Sequence, residues 1–172
     1  HARAGRRVVR LKGGDPYVFG RGGEEAAACH EAGVEVFVVP GVTSAFSVPA
    51  AAGIPVTHRS AARSVTVLTG HDVSEPERLA AFGAIARAGG TLVVLMGVEL
   101  LDDLCAGLLA AGVAGTTPVA LVERGWTPRQ RTTRTTLADA PVAARERDVR
   151  PPAVVVVGQV ADLELASSDP AG

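Results

Sequence analysis

Short runs of β-branched residues alternate along the chain with stretches whose apolar positions recur at helical spacing. RRVVRL (6–11), EEAAACHEAG (24–33) and VEVFVVP (34–40), bounded by Gly or Pro, predict strand, helix and strand. A second series follows: strand SVTVLTG (64–70), a helix over 75–88, strand TLVVLMG (91–97), a helix over 99–111, and strands PVALVERG (118–125) and PAVVVVGQV (152–160). This alternation predicts an α/β protein with mostly parallel sheets.

Local signals sharpen the second series. Ser74 and Glu77 match a capping box, with Pro76 tolerated in the first turn and Gly89-Gly90 as the stop. Leu101, Leu104, Cys105 and Leu108 fall on one helical face, a buried stripe, and Gly112 suits a left-handed cap. A polar stretch, THRSAARS (57–64), sets the expected boundary between a first region, 1–59, and a second domain, 60–166, with 167–172 as a tail. The first region is small for an α/β domain. His1 stands where an initiator methionine is usual and the strand pattern starts almost at once, so the chain is expected to lack its beginning.

Composition excludes several classes. The chain has 172 residues, 47% hydrophobic but only 3% aromatic, so its core is built of Ala, Val and Leu. A net charge of −1 argues against nucleic-acid binding by bulk charge and against a polybasic membrane anchor, so an anionic partner must be met by local arginines. Every basic residue but Lys12 is arginine. Cys29 and Cys105 lie in predicted helices without metal or disulfide spacing, which makes a reducing cytoplasm the expected location. The apolar runs are strand-length, far short of the roughly 20 residues of a spanning helix.

Candidate chemistry gathers at strand ends. LKGGDPYVFGRGGEE (11–25) carries a strand end, two glycines, an acid, and a Gly/Arg loop opening onto a helix with Glu24 and Glu25 in its first turn. Such glycines let backbone approach a ligand, or simply build a tight turn with acids complementing the helix dipole. Neither a P-loop nor GxGxxG spacing is present, which disfavours a phosphate or NAD site. In VVPGVTSA (38–45), Thr43 and Ser44 are N-caps or ligand contacts. His58 and Arg59 lie in a loop where a solvated surface is the plain reading. Met96, the single methionine, ends a strand as a core residue or as a soft contact for an adenine. Arg124, Arg129 and Arg131 beside Trp126 either hold carboxylates or lie on the surface.

In order and spacing, LKGGDPYVFGRGGEE, VVPGVTSA, AGIPVTHR, SVTVLTGH, TLVVLMG and VERGWTPRQR resemble the tetrapyrrole methylase family, and within it the uroporphyrinogen-III C-methyltransferases. The resemblance covers residues 5–165. It implies a two-domain α/β fold, here with the first domain incomplete, usually as a homodimer. It also implies S-adenosyl-L-methionine-dependent methylation of uroporphyrinogen III at C-2 and C-7, giving precorrin-2 on the route to sirohaem and cobalamin. By resemblance the cofactor contacts are Gly13, Gly14, Asp15, Val18, Thr43, Ser44, Met96, Gly125 and Ala153. Arg21, Arg59 and Arg129 would meet the substrate's carboxylates, with Arg124 and Arg131 as further candidates. Arg21 and Glu24 are the implied catalytic pair, Glu24 as proton acceptor or, equally, a plain N-terminal helix acid. Where Ser44 stands the family often has alanine. The family's opening Gly-rich loop and a later Asp and Lys would precede His1, so the chain alone is expected to have little methyltransferase activity. The competing expectations are a methylase of different ring-position specificity and a non-catalytic α/β binding or dimerisation remnant.

Overall fold

A computed structural model of the chain describes residues 1–163 and Leu165, apart from the side chains of Asp72 and Ser74. The expected tail at 167–172 lies outside the described residues. Contacts divide the chain into two units, His1–Thr43 and Ser44–Gly172.

The first unit contains a short 3₁₀ helix (Ala2–Ala4), α1 (Gly22–Glu31) and otherwise irregular backbone. The strands expected at 6–11 and 34–40 are absent. β-branched side chains favour a strand only where a ladder partner takes up the backbone hydrogen bonds, and neither run has one among the described residues. Val9, Leu11, Phe37 and Val39 are accordingly exposed.

The second unit is a five-stranded sheet between two helical layers. In chain order it has α2 (Ser44–Ala51), β1 (Val65–Thr69), α3 (Pro76–Arg87), β2 (Thr91–Leu95), α4 (Leu101–Ala110), β3 (Pro118–Glu123), β4 (Arg131–Thr136), α5 (Ala140–Glu146) and β5 (Ala153–Val157). The sheet order is β1-β2-β5-β3-β4. Only β1 and β2 run parallel; β2–β5, β5–β3 and β3–β4 are antiparallel, which corrects the expectation of mostly parallel strands. The reason is connectivity: β3 and β4 join through a hairpin loop with no crossover helix, and β5 inserts between β2 and β3 against the direction of both.

Period-two alternation sorts the central strands between two cores. Leu92, Val94, Val119, Leu121, Val155 and Val157 meet one layer with Leu101, Leu104, Cys105 and Leu108 of α4. Val93, Leu95, Ala120, Val122, Val154 and Val156 meet the other with Ala45, Ala52, Ile54 and Ala62. This second core explains why the contact boundary falls after Thr43 and not at 57–64: α2 and the segment after it are buried against the sheet. The α4 stripe matches the sequence pattern, and Gly112, at φ 82°, caps that helix in the left-handed conformation. Burial pushes the Cys105 thiol up to about 12, with nearby Asp102 adding to it, so the thiol is inert at neutral pH. α3 begins at Pro76 with Glu75 as N-cap and no side-chain cap bond, one residue later than the capping box requires; the Ser74 side chain itself lies outside the described residues. Among the described residues no helix is long and apolar enough to cross a membrane.

Candidate functional site

In the first unit, the loop before α1 is folded on itself. A Cβ on Gly22 would fall inside the carbonyl of Pro16, which instead accepts the Gly22 N–H at 2.9 Å, and Gly20 crowds the same carbonyl. These two glycines are therefore explained by the turn alone. Gly13 has nothing within 4 Å of where a Cβ would be, so its backbone is open to approach from outside. Asp15 is a brace: one carboxylate oxygen accepts from the Tyr17 N–H at 2.8 Å and the other from the Gly41 N–H at 3.1 Å. Gly41 in turn lies so close to Gly14 that a Cβ would overlap the Gly14 carbonyl oxygen. The GGDP loop and the Pro-Gly turn before Thr43 are thus one structure, bringing Gly13, Gly14, Asp15 and Thr43 into one region of this unit. The Val18 N–H closes the turn onto the Asp15 carbonyl at 3.3 Å.

Arg21 adopts a left-handed backbone, φ 58°, and its Nε lies 3.7 Å from Glu24 Oε1, with both side chains exposed. Glu25, by contrast, is committed to structure: Lys12 Nζ donates to it at 2.8 Å and Arg10 Nη2 at 3.1 Å. The hydrogen bond from Lys12, opposed by partial burial and assisted by Arg10, holds the Glu25 carboxyl below its ordinary value of 4.5. A depressed folded pKa stabilises the fold above the ordinary value, and that contribution is lost as pH falls through the folded one. Glu25→Gln is therefore expected to be less stable than the parent at neutral pH, with the deficit closing as pH drops below 4.5. Urea unfolding across a pH series checks this, and a deficit independent of pH contradicts it.

In the second unit the sheet topology gathers residues that are far apart in sequence. Leu95 pairs with Val154, and Glu123 with Ala153, so Met96, Ala153 and Gly125 share one end of the sheet. Gly70, following β1, packs so tightly there that a Cβ would overlap the Met96 carbonyl oxygen. Met96 has φ 54° and is 56% exposed. Arg124 and Trp126, flanking Gly125, are left-handed at φ 48° and 63°. Five of the six left-handed non-glycine residues among those described, Phe19, Arg21, Met96, Arg124 and Trp126, lie in the candidate loops, where strained backbone commonly marks function. Ser44 opens α2, and Val48 of that helix packs against Gly125, where a Cβ would come within 2.9 Å of it.

The loop 124–130 is tied down on α2, with Trp126 Nε1 donating to the Ser47 carbonyl at 2.7 Å and Gln130 Nε2 to the Ala51 carbonyl at 2.9 Å. Arg129 is exposed on this loop, its guanidinium without a partner among the described residues. Arg131 is not available to a substrate, because it donates to Glu123 Oε1 at 2.7 Å and to the carbonyls of Arg147 and Asp148. The hydrogen bond to Glu123 also raises the Arg131 pKa further. Arg59 lies with Thr57, His58, Ala62 and Arg63 around a wide, open surface depression. The His58 ring is a turn brace, with Nδ1 at 2.9 Å from the Ser60 hydroxyl. From sequence Glu25 is only an acid of the first helical turn, and Glu123 and Gln130 carry no assigned role. The available signals were the basic run before α1 for Glu25 and a lone acid ending an otherwise apolar strand for Glu123.

The chain matches the family model of tetrapyrrole (corrin/porphyrin) methylases over residues 1–141. It is 52% identical over 163 residues to an S-adenosyl-L-methionine-dependent uroporphyrinogen III methyltransferase of Methanosarcina barkeri, covering 94% of this chain and 64% of that protein. It is 47% identical over 169 residues to a siroheme synthase of Gluconacetobacter diazotrophicus, covering 98% and 36%. The chain thus spans just under two thirds of the first relative and about a third of the second. In structure it is similar to the uroporphyrin-III C-methyltransferase of Thermus thermophilus complexed with S-adenosylhomocysteine, at TM-score 0.78 and 43% identity, covering 93% and 69%. It is also similar to a cobalt precorrin-4 methyltransferase, at TM-score 0.82 and 29% identity, covering 94% and 67%.

Proposed function

The chain belongs to the tetrapyrrole (corrin/porphyrin) methylases, and from that premise we propose that it serves S-adenosyl-L-methionine-dependent C-methylation of uroporphyrinogen III at C-2 and C-7, forming precorrin-2 for sirohaem and cobalamin synthesis. The observation that carries this reading is the gathering of Met96, Gly125 and Ala153 at one end of the sheet. Small or soft neutral side chains there fit an adenosyl group.

The sulfonium, when bound, supplies a methyl group already activated for attack by a pyrrole carbon. The chain's own task is then alignment and removal of one proton. Gly13, Gly14 and Val18 offer backbone contacts. Asp15 keeps its loop closed while retaining lone pairs for an ammonium or a ribose hydroxyl. Thr43 offers a polar contact after the Pro-Gly turn, and Ser44 another as the first residue of α2. Arg21, Arg59 and Arg129 are exposed guanidinium groups suited to bidentate recognition of the substrate's carboxylates. A Glu24 carboxylate oxygen takes up the proton released from the methylated carbon, a role open to it because Glu25, its neighbour, is occupied by Lys12 and Arg10. A cytoplasmic homodimer belongs to the same reading; exposed Val9, Leu11, Phe37 and Val39 support a covered surface, and light scattering decides it.

Calorimetry with S-adenosylhomocysteine tests the proposal, and heat of binding is expected. Its absence favours a non-catalytic module. Little turnover of uroporphyrinogen III is expected of the chain alone; any product, read by mass and NMR, separates methylation at C-2 and C-7 from a single methyl at another carbon.

A further inference from the structure

Glu123 is an uncommon residue for its place. It ends β3, whose residues from Val119 onward are all buried, and is itself only 1% exposed. A carboxylate buried at a strand end is a poor source of stability compared with an apolar residue of similar size, even paired with the half-exposed Arg131, so its presence calls for another explanation. Its Oε1 accepts from Arg131 Nη2 at 2.7 Å and from the Arg150 N–H at 3.0 Å, while Oε2 is buried without a partner.

The geometry points to Glu123 as a positioning residue: through Arg131 and the Arg150 backbone it fixes the loop 124–130 and the start of β5, and so sets the placement of Gly125, Arg129 and Ala153. This rests on the reading of those three residues as site contacts. Glu123 and Arg131 are directly opposed across the β3–β4 ladder, so their ion pair closes the base of the loop. Arg131 also reaches the carbonyls of Arg147 and Asp148, tying the end of α5 to the same point. The Arg150 N–H on Glu123 holds the segment entering β5, and two residues on the Pro152 carbonyl accepts the Arg124 N–H at 2.9 Å. A closed circuit results: side chain of Glu123, backbone of 150–152, amide of Arg124, and back to Glu123. Within it Arg124 and Trp126 hold left-handed backbone, a conformation that persists only where its surroundings over-determine it.

Trp126, the single tryptophan, reports on the loop directly. In the full chain, Glu123→Gln is expected to lower Trp126 fluorescence anisotropy, raise its quenching by acrylamide, and weaken S-adenosylhomocysteine binding about tenfold, as loss of a charge-assisted hydrogen bond predicts. Leu108→Val in α4, which destabilises the core beneath that helix, serves as the control: at a comparable fall in melting temperature it should move neither readout. Arg131→Lys keeps a cation for Glu123 but gives up the reach to both carbonyls, and is expected to shift both readouts in the same direction. It carries the comparison if Glu123→Gln does not fold. Wild-type Trp126 behaviour and affinity in the variants overturn the inference, as does an effect no larger than that of Leu108→Val. A parent chain that binds no S-adenosylhomocysteine sinks the methyltransferase reading alone, and Trp126 then still decides the clamp.

Discussion

Gly70→Ala is expected to destabilise the second unit by about 3 kcal/mol, at the upper end of the usual cost of overpacking. The new methyl group would overlap the Met96 carbonyl oxygen, which is backbone and cannot rotate aside. Relief requires the ends of β1 and β2 to part, although the two strands are paired from Val65–Thr91 to Thr69–Leu95. On the usual scaling, the midpoint of thermal unfolding should fall by about 10 °C. Unfolding by heat and by urea, compared with the parent, measures this directly, and a stability change within about 0.5 kcal/mol, the range of ordinary surface substitutions, would show that the strand ends are not in fact so close.

Asp15→Ala is the functional counterpart. It removes the acceptor of two backbone amides, Tyr17 and Gly41, each a charge-assisted bond worth about 1.5–3 kcal/mol when intact. Without it the GGDP loop is free to part from the turn before Thr43. Affinity for S-adenosylhomocysteine is expected to fall at least about tenfold, the equivalent of one such bond. Asp15→Asn should be intermediate, because an amide oxygen satisfies one of the two N–H groups while the amide nitrogen faces the other as a second donor. Calorimetry on the three proteins gives the order, and an unchanged dissociation constant in Asp15→Ala would remove Asp15 from the site.

The elements that were legible in the sequence are those whose pattern is local. The stripe from Leu101 to Leu108 and the glycine at 112 determine α4 and its end by themselves, and the apolar runs of β1, β2, β3 and β5 are correctly placed to within a few residues. What depends on distant partners was not legible. β4, RTTRTT, is too polar to look like a strand, yet it pairs with β3 along its whole length because an edge strand needs little apolar character. The opposite holds at VEVFVV, which has every strand preference and no ladder partner among the described residues. The family resemblance singled out loop residues by motif, while the division of labour within them needed coordinates. Glu24 and Glu25 are adjacent, equally acidic letters, and only geometry separates the exposed acid from the one bound by Lys12 and Arg10. Likewise nothing in TPRQR distinguishes Arg129, which is exposed, from Arg131, which braces Glu123.

The central place of β5 has a consequence for biosynthesis. Of the five described strands, the central one is the last to leave the ribosome. Until Ala153–Val157 emerge, the parallel pair β1–β2 and the hairpin β3–β4 are two separate ribbons, each with an apolar edge that has no neighbour. The sheet therefore closes late, through contacts between residues remote in sequence, a topology that folds slowly and leaves sticky edges uncovered in the interval. During that interval the gap between β2 and β3 has to stay empty for β5.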